Sequence, residues 1–209
     1  MNEEEIRKYC LSCKNKPCTN NGCPLGNNIQ DFIHEKDYKK AYEILCETTV
    51  FPAVCGRICP HEKQCQGSCI RGIKGEPIHF YEMEEEISKK YLNEVKFEKP
   101  LANRDKIAIV GGGPAGITVA FMLANRGFKV TIFDEHKKIG GVLRYGIPEY
   151  RLPNTIVDQI TEKLHNLGVK IRPNTMIGDV ITLDNLLEDG YKAVFIGTGV
   201  WNAKKLGIK

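Results

Sequence analysis

Short apolar runs alternate with helical apolar patterns in the second half of the chain. Residues 107–110 form a continuous apolar run, which is typical of a strand buried on both faces of a parallel sheet. The apolar residues that follow have helical spacing, and they are Ile117, Ala120, Phe121 and Ala124. Residues 129–133 then read as a second strand. This order of strand, helix and strand predicts a parallel α/β unit.

One helix and two further strands complete this predicted unit. Asn154 can cap a helix that runs to Leu167, and Gly168 is a suitable stop for it. A third strand is predicted over 169–171, and a fourth over 194–196.

The first half of the chain shows helical patterns instead. One helix is predicted from Asp31 to Cys46, and another from about Pro77 to Val95. The second helix carries an apolar stripe of Phe80, Met83, Ile87, Tyr91 and Val95, and Glu84 falls near the centre of that stripe. An unpaired carboxylate on a buried face is costly or becomes protonated. Glu84 therefore either binds a metal centre or lies at the rim of the face and reaches water.

Glycines separate the first predicted strand from the helix after it. Gly111, Gly113 and Gly116 fit the pattern G-x-G-x-x-G, in which glycines permit a tight turn and let a pyrophosphate approach the helix N-terminus. Asp134 ends the second strand, where an acid usually accepts hydrogen bonds from a ribose. The motif predicts a dinucleotide site, and the alternative for Asp134 is a solvated loop acid.

A glycine-rich loop over 137–154 follows this motif. Its Gly140 and Gly141 allow a flat ring or phosphates to approach, and Arg144 or Arg151 could meet an anion or simply face solvent. Four histidines lie in polar surroundings and are predicted to be surface residues: His34, His79, His136 and His165.

All nine cysteines lie between Cys10 and Cys69, and the 140 residues after Cys69 contain none. This contrast predicts two domains, over residues 1–100 and 101–209. One cysteine block is Cys10-x2-Cys13-x4-Cys18-x4-Cys23-Pro24, and the second contains Cys55, Cys59, Cys65 and Cys69. Such spacing favours an iron–sulfur site, and structural zinc and disulfides are the alternatives. Cys46 reads as a small buried hydrophobic residue.

The composition is that of an ordinary protein of the aqueous phase, with 42% apolar and 27% charged residues. No apolar run reaches the length of a membrane span, and the N-terminal MNEEEIRKYC is too polar for a signal peptide. We therefore predict a cytoplasmic location. The net charge of +4 is small and mixed along the chain, which argues against nucleic-acid or membrane partners.

These motifs together resemble the glutamate synthase small (beta) subunit family. That family includes the large subunits of NADH-dependent ferredoxin:NADP oxidoreductases and the N-terminal part of dihydropyrimidine dehydrogenase. The resemblance extends over nearly the whole chain and rests on CxxCxxxPC, NNIQDFI, FPAVCGRICPHEKQCQGSC, EPIHF, VGGGPAG, IGGVLRYGIPEYRLP and FIGTG. It implies an α-helical domain with two 4Fe-4S clusters, followed by a partial α/β Rossmann-like domain that binds FAD.

The resemblance also implies a role for individual residues. One cluster would be held by Cys10, Cys13, Cys18 and Cys69. The other would be held by Cys23, Cys59, Cys65 and Glu84, which leaves Cys46 and Cys55 as non-ligands. The FAD pyrophosphate and ribose would be bound by Gly111, Gly113, Pro114, Ala115, Gly116 and Asp134. The rest of the flavin site would be lined by Gly141, Arg151, Thr198 and Gly199.

Two positions depart from the family pattern. Four residues separate Cys18 from Cys23 where three are typical, and Asp134 stands where glutamate is commoner. At the position of Glu84, the similar pyrimidine enzymes carry a glutamine ligand instead. The glutamate therefore favours the glutamate synthase type.

The resemblance implies an enzyme that passes electrons from NADPH through FAD to the clusters and then to a glutamate synthase large subunit or another accepting subunit. No second glycine-rich motif follows Gly199, so we expect that these 209 residues alone do not oxidise NADPH. The alternatives are a non-catalytic zinc- and nucleotide-binding scaffold and a bifurcating ferredoxin:NADP oxidoreductase subunit.

Overall fold

The computed structural model describes residues 3–92, 101, 103–178, 180–201 and 207. These residues form two compact units. The helical unit consists of the described residues of Met1–Lys96 together with Glu149–Ile160. The α/β unit consists of the described residues of Phe97–Pro148 and Thr161–Lys209. The boundary that the cysteine distribution suggests, at residue 100, stays a prediction.

Short helices joined by tight turns build the helical unit. They are α1 (Glu3–Tyr9), α2 (Ile29–His34), α3 (Tyr38–Cys46), α4 (Pro52–Ile58) and α5 (Phe80–Tyr91). Single turns of other helix types lie at Cys18–Gly22, His61–Lys63 and Ile70–Ile73. The apolar faces of α2, α3 and α5 meet in a core that contains Phe32, Tyr42, Leu45, Phe80, Met83 and Ile87. The rings of Phe32 and Phe80 pack edge to face at 6.5 Å.

The single helix predicted over Asp31–Cys46 is wrong. The chain leaves the helical conformation after His34, and α3 starts only at Tyr38. Asp37 explains the break, because its carboxylate accepts hydrogen bonds from the amides of Lys39 and Lys40 and so caps a new helix. The helix predicted from Pro77 begins at Phe80 instead, and its predicted end at Val95 lies outside the described residues.

Helices α4 and α5 approach closely at Gly56. A β-carbon at this position would lie 2.9 Å from the backbone nitrogen of Glu85 and 3.2 Å from Cγ of Glu84. Any larger residue would therefore push α5 away. The absence of a side chain at Gly56 brings the buried face of α5 against the end of α4 that carries Cys59.

The α/β unit follows the predicted order of elements. Its strands are β1 (Lys106–Val110), β2 (Lys129–Phe133), β3 (Lys170–Arg172) and β4 (Tyr191–Ile196). The connecting helices are α6 (Pro114–Asn125), α7 (Val142–Tyr145), α8 (Asn154–Asn166) and α9 (Leu183–Glu188). Of α8, the residues up to Ile160 are counted with the helical unit and the rest with the α/β unit. The strands form one parallel sheet in the order β3-β2-β1-β4. The predicted fold class, a helical unit followed by a Rossmann-like α/β unit, is confirmed.

The carboxyl ends of the four strands meet at one edge of this sheet. Hydrogen bonds continue the sheet past the strands, from the amide of Gly111 to Phe133 O at 2.8 Å and from that of Gly197 to Val110 O at 2.8 Å. The amide of Asp134 likewise donates to Arg172 O at 3.1 Å. In open parallel sheets this edge is where ligands bind.

Among the helices that the structure describes, none combines the length and apolar character needed to cross a membrane.

The cap at Asp37 can be tested directly. Replacing Asp37 with Ala should lower the free energy of unfolding of the helical unit by about 1 kcal/mol, because two amides at the start of α3 lose their acceptor. Asp37→Ser should restore most of this stability, since serine is also a good cap. Urea unfolding followed by circular dichroism gives the measurement. Lys36→Ala, at the exposed neighbouring position, is the matched control and should change little; equal losses in both variants would contradict the cap.

Candidate cofactor sites

Four cysteines of the helical unit share one small pocket. Cys10, Cys13, Cys18 and Cys69 line it together with apolar side chains that include Ile33, Ile78 and Phe80. The loop between Cys10 and Cys18 turns sharply, with left-handed backbone at Ser12 (φ 47°) and Lys16 (φ 40°). This turning brings three thiols of one short segment to the same place, where Cys69 joins them.

Burial raises the pKa of the Cys10 thiol and of the Cys18 thiol. For each of them, neighbouring cysteines of the same group also disfavour the thiolate. Four thiols in an apolar pocket are therefore ill placed as free anions. A cationic metal centre would reverse this preference, because metal ligation deprotonates cysteine and compensates the charge.

A second group forms around Glu84. Gly22 packs so closely on Cys65 that a β-carbon on Gly22 would lie 2.7 Å from Cα of Cys65, and this contact brings Cys23 to the group. Burial raises the pKa of the Cys65 thiol to about 12, and the charges of Glu84 and Cys23 add to the effect. Cys59 joins from the end of α4, where its charge acts on Glu84.

The carboxyl group of Glu84 is buried and incompletely partnered. The residue is 5% exposed, so the alternative that its side chain reaches water is wrong. Burial, and then the nearby Cys59, raise the pKa of Glu84 to about 8. Its Oε1 has no hydrogen-bond partner; among the described residues the only other such buried side-chain atom is Oγ of Ser88, one turn further along α5. Buried polar atoms are almost always paired, so an orphaned carboxylate oxygen beside three cysteines indicates a missing electrophile.

Cys55, which the sequence assigns as a non-ligand, lies beside Cys59 one helical turn earlier. Its thiol hydrogen-bonds to Cys59, and this contact lowers the pKa of Cys59 to about 7. His61, just after α4, is half-buried. Its Nε2 lies 3.0 Å from Cys55 O, and its ring stacks on Tyr81 at 4.3 Å. These contacts fix the end of α4.

The donors do not form a site for a single ion. Within the part of the chain that the structure describes, no three His, Cys, Asp or Glu side chains are grouped to hold one metal ion. A mononuclear zinc site needs four ligands about one centre. Two sets of four donors, each around a larger polynuclear centre, fit the arrangement better.

A cavity of about 980 Å³ lies at the carboxyl edge of the sheet in the α/β unit. Most of the residues that the sequence assigns to the flavin line it, namely Gly111, Gly113, Pro114, Ala115, Asp134, Gly141, Thr198 and Gly199. The volume is at the upper end of the range of roughly 300–1,000 Å³ that is typical of cofactor pockets.

The glycines keep this cavity open. Gly111 has φ +100° and packs against Gly197 O, while Gly141 has φ +51° and a β-carbon there would lie 2.7 Å from Cα of Gly113. Gly116 does not line the cavity; it lets α6 lie against the backbone of Gly111, where a β-carbon would collide with the carbonyl oxygen. Only glycine fits these close backbone approaches, which aim the N-terminus of α6 into the cavity.

Asp134 is buried at 7% exposure, so the alternative of a solvated loop acid is wrong. Its Oδ2 accepts from the amide of Gly112 at 2.6 Å, and its Oδ1 accepts from the amide of His136 at 2.8 Å. The carboxylate thus ties the glycine turn to the end of β2. Oδ1 also lies 3.1 Å from Nδ1 of His136, so Oδ2 is the oxygen that retains a lone pair for a ligand hydroxyl.

Arg151 belongs to the helical unit, so the structure leaves its predicted role in the flavin site untested. Its side chain is exposed, and its carbonyl accepts from Nε of Arg57 at 2.8 Å within the helical unit.

Three residues that line the cavity were not identified as site residues from the sequence. His136, read there as a surface residue, lines the cavity with Tyr145 and Trp201, and its surface assignment is wrong. Its position two residues after Asp134 was the available signal. Tyr145 and Trp201 are distant in sequence, and nothing in their local pattern marks them.

Comparisons with known proteins agree with both units. Residues 2–96 match the family model described as dihydropyrimidine dehydrogenase domain II, 4Fe-4S cluster. Residues 109–175 match the NAD(P)-binding Rossmann-like domain. The chain is 34% identical to the small chain of NADPH glutamate synthase from Escherichia coli, with 96% of this chain and 43% of that protein aligned. The chain is homologous to glutamate synthase small chains, and its two units match a 4Fe-4S cluster domain and an NAD(P)-binding Rossmann-like domain.

Other relatives align with nearly all of this chain and with a similar share of their own length. The NAD-dependent dihydropyrimidine dehydrogenase subunit PreT of Escherichia coli is 32% identical over 95% of this chain and 49% of its own length. The glutamate synthase small chain of Mycobacterium tuberculosis is 34% identical over 100% of this chain and 44% of its own length. The chain therefore spans about half the length of the curated relatives that it matches. Among solved structures, Mycobacterium tuberculosis FprA in complex with NADPH aligns with 51% of this chain and 25% of its own, at 22% identity and a TM-score of 0.45.

The unpartnered carboxyl oxygen of Glu84 should lower the stability of the metal-free chain. Glu84→Met should raise the free energy of unfolding of the metal-free protein at pH 7 by about 1–3 kcal/mol, because it removes an unsatisfied buried polar group at similar volume. Urea unfolding followed by circular dichroism measures the change.

Glu86→Met, on the exposed face of the same helix, is the matched control and should change stability by less than about 0.5 kcal/mol. A loss of stability in Glu84→Met would show that the carboxyl group has a partner in the metal-free protein.

Proposed function

We propose that this chain is the cluster- and flavin-binding part of an NADPH-dependent oxidoreductase of the glutamate synthase small-subunit type. In such an enzyme, electrons pass from NADPH through FAD to two 4Fe-4S clusters and then to a partner subunit. The observation that carries the proposal is the orphaned carboxylate oxygen of Glu84, buried beside Cys59 and Cys65. It accompanies a separate pocket lined by four thiols.

The ligand sets follow from these two groups. Cys10, Cys13, Cys18 and Cys69 are the donors for one cluster. Cys23, Cys59, Cys65 and Glu84 are the donors for the other; Cys65 and Glu84 are buried, and Cys23 and Cys59 are partly buried. When bound, the clusters supply one-electron chemistry, and the protein sets their reduction potentials through ligand identity, burial and hydrogen bonds.

The residues of the cavity suit the dinucleotide part of FAD. The amides at the start of α6 would donate to the pyrophosphate, in a turn that Gly113 leaves open. Asp134 is placed to accept from ribose hydroxyls while it holds the amide of Gly112. Gly141, Thr198 and Gly199 line the remaining cavity, and Arg151 stays a predicted contact of the flavin.

The proposed domains are residues 1–100 for the clusters and 101–209 for the flavin. The electron acceptor is a glutamate synthase large subunit or another accepting subunit, by analogy with relatives that are named as small chains or subunits. Nine free cysteines also suit a reducing compartment such as the cytoplasm.

Metal and sulfide analysis of anaerobically prepared protein tests the cluster assignment. We expect about eight irons per chain, four for each cluster. Cys69→Ser should lower this number to about four by removing a ligand of the first group, and Cys65→Ser should do the same in the second. Cys46→Ser is the matched control, because Cys46 is buried but lies outside both groups. One or two zinc ions with no iron would contradict the proposal and favour the scaffold alternative.

A ligand exchange at Glu84 tests the second group alone. Glu84→Cys keeps the number of donors but replaces oxygen by sulfur, so one cluster should change its reduction potential and electron paramagnetic resonance spectrum. The cluster of the first group is the internal control and should be unaffected. Identical potentials in wild type and variant would show that Glu84 is not a ligand.

A further inference from the structure

Three aromatic side chains stand together in the wall of the cavity. The ring of His136 lies 4.6 Å from that of Tyr145 and 4.8 Å from that of Trp201, at interplanar angles of 30° and 33°. Tyr145 and Trp201 are 6.3 Å apart and nearly perpendicular. Although all three line the cavity, Tyr145 remains 45% exposed and Trp201 51% exposed. Large apolar ring surface is thus left open where a ligand is expected.

The polar edges of these rings are already satisfied. Tyr145 donates its hydroxyl proton to Lys138 O at 2.8 Å, and Trp201 donates from Nε1 to Thr198 O at 2.8 Å. Nδ1 of His136 lies 3.1 Å from Oδ1 of Asp134. Each bond ties a ring to its own loop and fixes its orientation. The rings therefore offer a ligand their faces and apolar edges, as stacking contacts require.

The backbone that carries His136 is also fixed. The amide of Thr175 donates to Asp134 O at 2.8 Å, and the amide of Asn174 donates to His136 O at 3.1 Å. The loop after β3 thus runs alongside residues 134–136 and holds them against the sheet edge. A ring mounted on such a segment is preorganised, which reduces the entropy lost on binding.

The order of chemical groups in a dinucleotide predicts what meets these rings. The pyrophosphate belongs at the N-terminus of α6 and the attached ribose at Asp134. The base is the next group along the ligand, on the far side of the ribose from the phosphates. His136 lies two residues beyond Asp134, and the ring of Trp201 packs against that of His136 at 4.8 Å. The aromatic cluster is therefore where a base would lie.

We propose that His136, Tyr145 and Trp201 form the subsite for the adenine ring of the bound dinucleotide, with Trp201 as its main stacking surface. This inference rests on the proposed function, because it takes the cavity to be a dinucleotide site. Asp134 then has two tasks: it accepts from the ribose, and it orients the imidazole of His136 beside the base. Loss of one stacking ring typically weakens binding about tenfold, as base stacking on aromatic side chains does elsewhere.

Trp201 is the only tryptophan of the chain, so its fluorescence reports this subsite without labelling. Flavin-free protein should be titrated separately with ADP, with inorganic pyrophosphate and with FMN, which lacks the adenine half. We expect ADP to change the emission of Trp201 in a saturable way and to compete with FAD. Pyrophosphate should bind more weakly and leave the emission nearly unchanged. A spectrum that ADP does not change, although calorimetry shows it bound, would overturn the subsite.

Calorimetry with ADP on variants tests the individual rings. Trp201→Leu and His136→Leu should each weaken ADP binding about tenfold and leave pyrophosphate binding unchanged, whereas Trp201→Phe should keep the affinity within about threefold. Tyr81→Leu is the matched control, since Tyr81 also stacks on a histidine, His61, but in the helical unit. ADP affinities equal to wild type in both leucine variants would overturn the subsite.

These experiments distinguish a failure of the proposed function from a failure of the aromatic subsite alone. If wild-type protein binds neither FAD nor ADP, the cavity is not a dinucleotide site and both the proposed function and the subsite are wrong. If wild type binds both, but the leucine variants bind ADP as tightly as wild type, the dinucleotide site stands and only the aromatic subsite is wrong. Retention of pyrophosphate binding in the variants shows that they remain folded.

Discussion

The desolvation of Glu84 is the constraint on which the helical unit depends. A carboxyl group with an unpartnered oxygen in an apolar core opposes folding, yet this one sits on the best-packed face of α5, between Met83 and Ile87. The close approach at Gly56 holds it against α4, so the side chain cannot turn out to solvent without separating the helices. Stability is lost in the metal-free state, and a cationic centre shared with Cys59 and Cys65 would recover it.

In the α/β unit, the main constraint is that a charged ligand must be able to approach the backbone. Its glycines remove side chains where β1, β4 and the loop before α7 converge, at Gly111 and Gly141 above all. Asp134 then secures the turn through the amide of Gly112. Phosphate binding by helix N-termini needs donors fixed in advance, because the ordering cost is otherwise taken from the binding energy. Here the donors are ordered by backbone contacts rather than by side chains.

The two units thus form their binding sites in different ways. In the helical unit, single side chains from separate turns converge, so each group depends on long-range packing such as the contact of Gly22 with Cys65. In the α/β unit, one local segment of strand, turn and helix supplies most of the donors. The aromatic cluster combines both, since His136 is local to Asp134 whereas Trp201 arrives from the end of β4.

The sequence by itself determined the features that depend on local periodicity: the strands of the parallel sheet, the glycine turn, and the burial of Glu84 on a helical stripe. These follow from contacts within about twenty residues, as do the assignments of Asp134 and Gly141 to the cavity. Only the tertiary structure decided the break between α2 and α3 and the meeting of His136 with Trp201. The first depends on the small difference in free energy between a capped break and an uninterrupted helix. The second depends on contacts between distant segments, which leave no periodic pattern in the sequence.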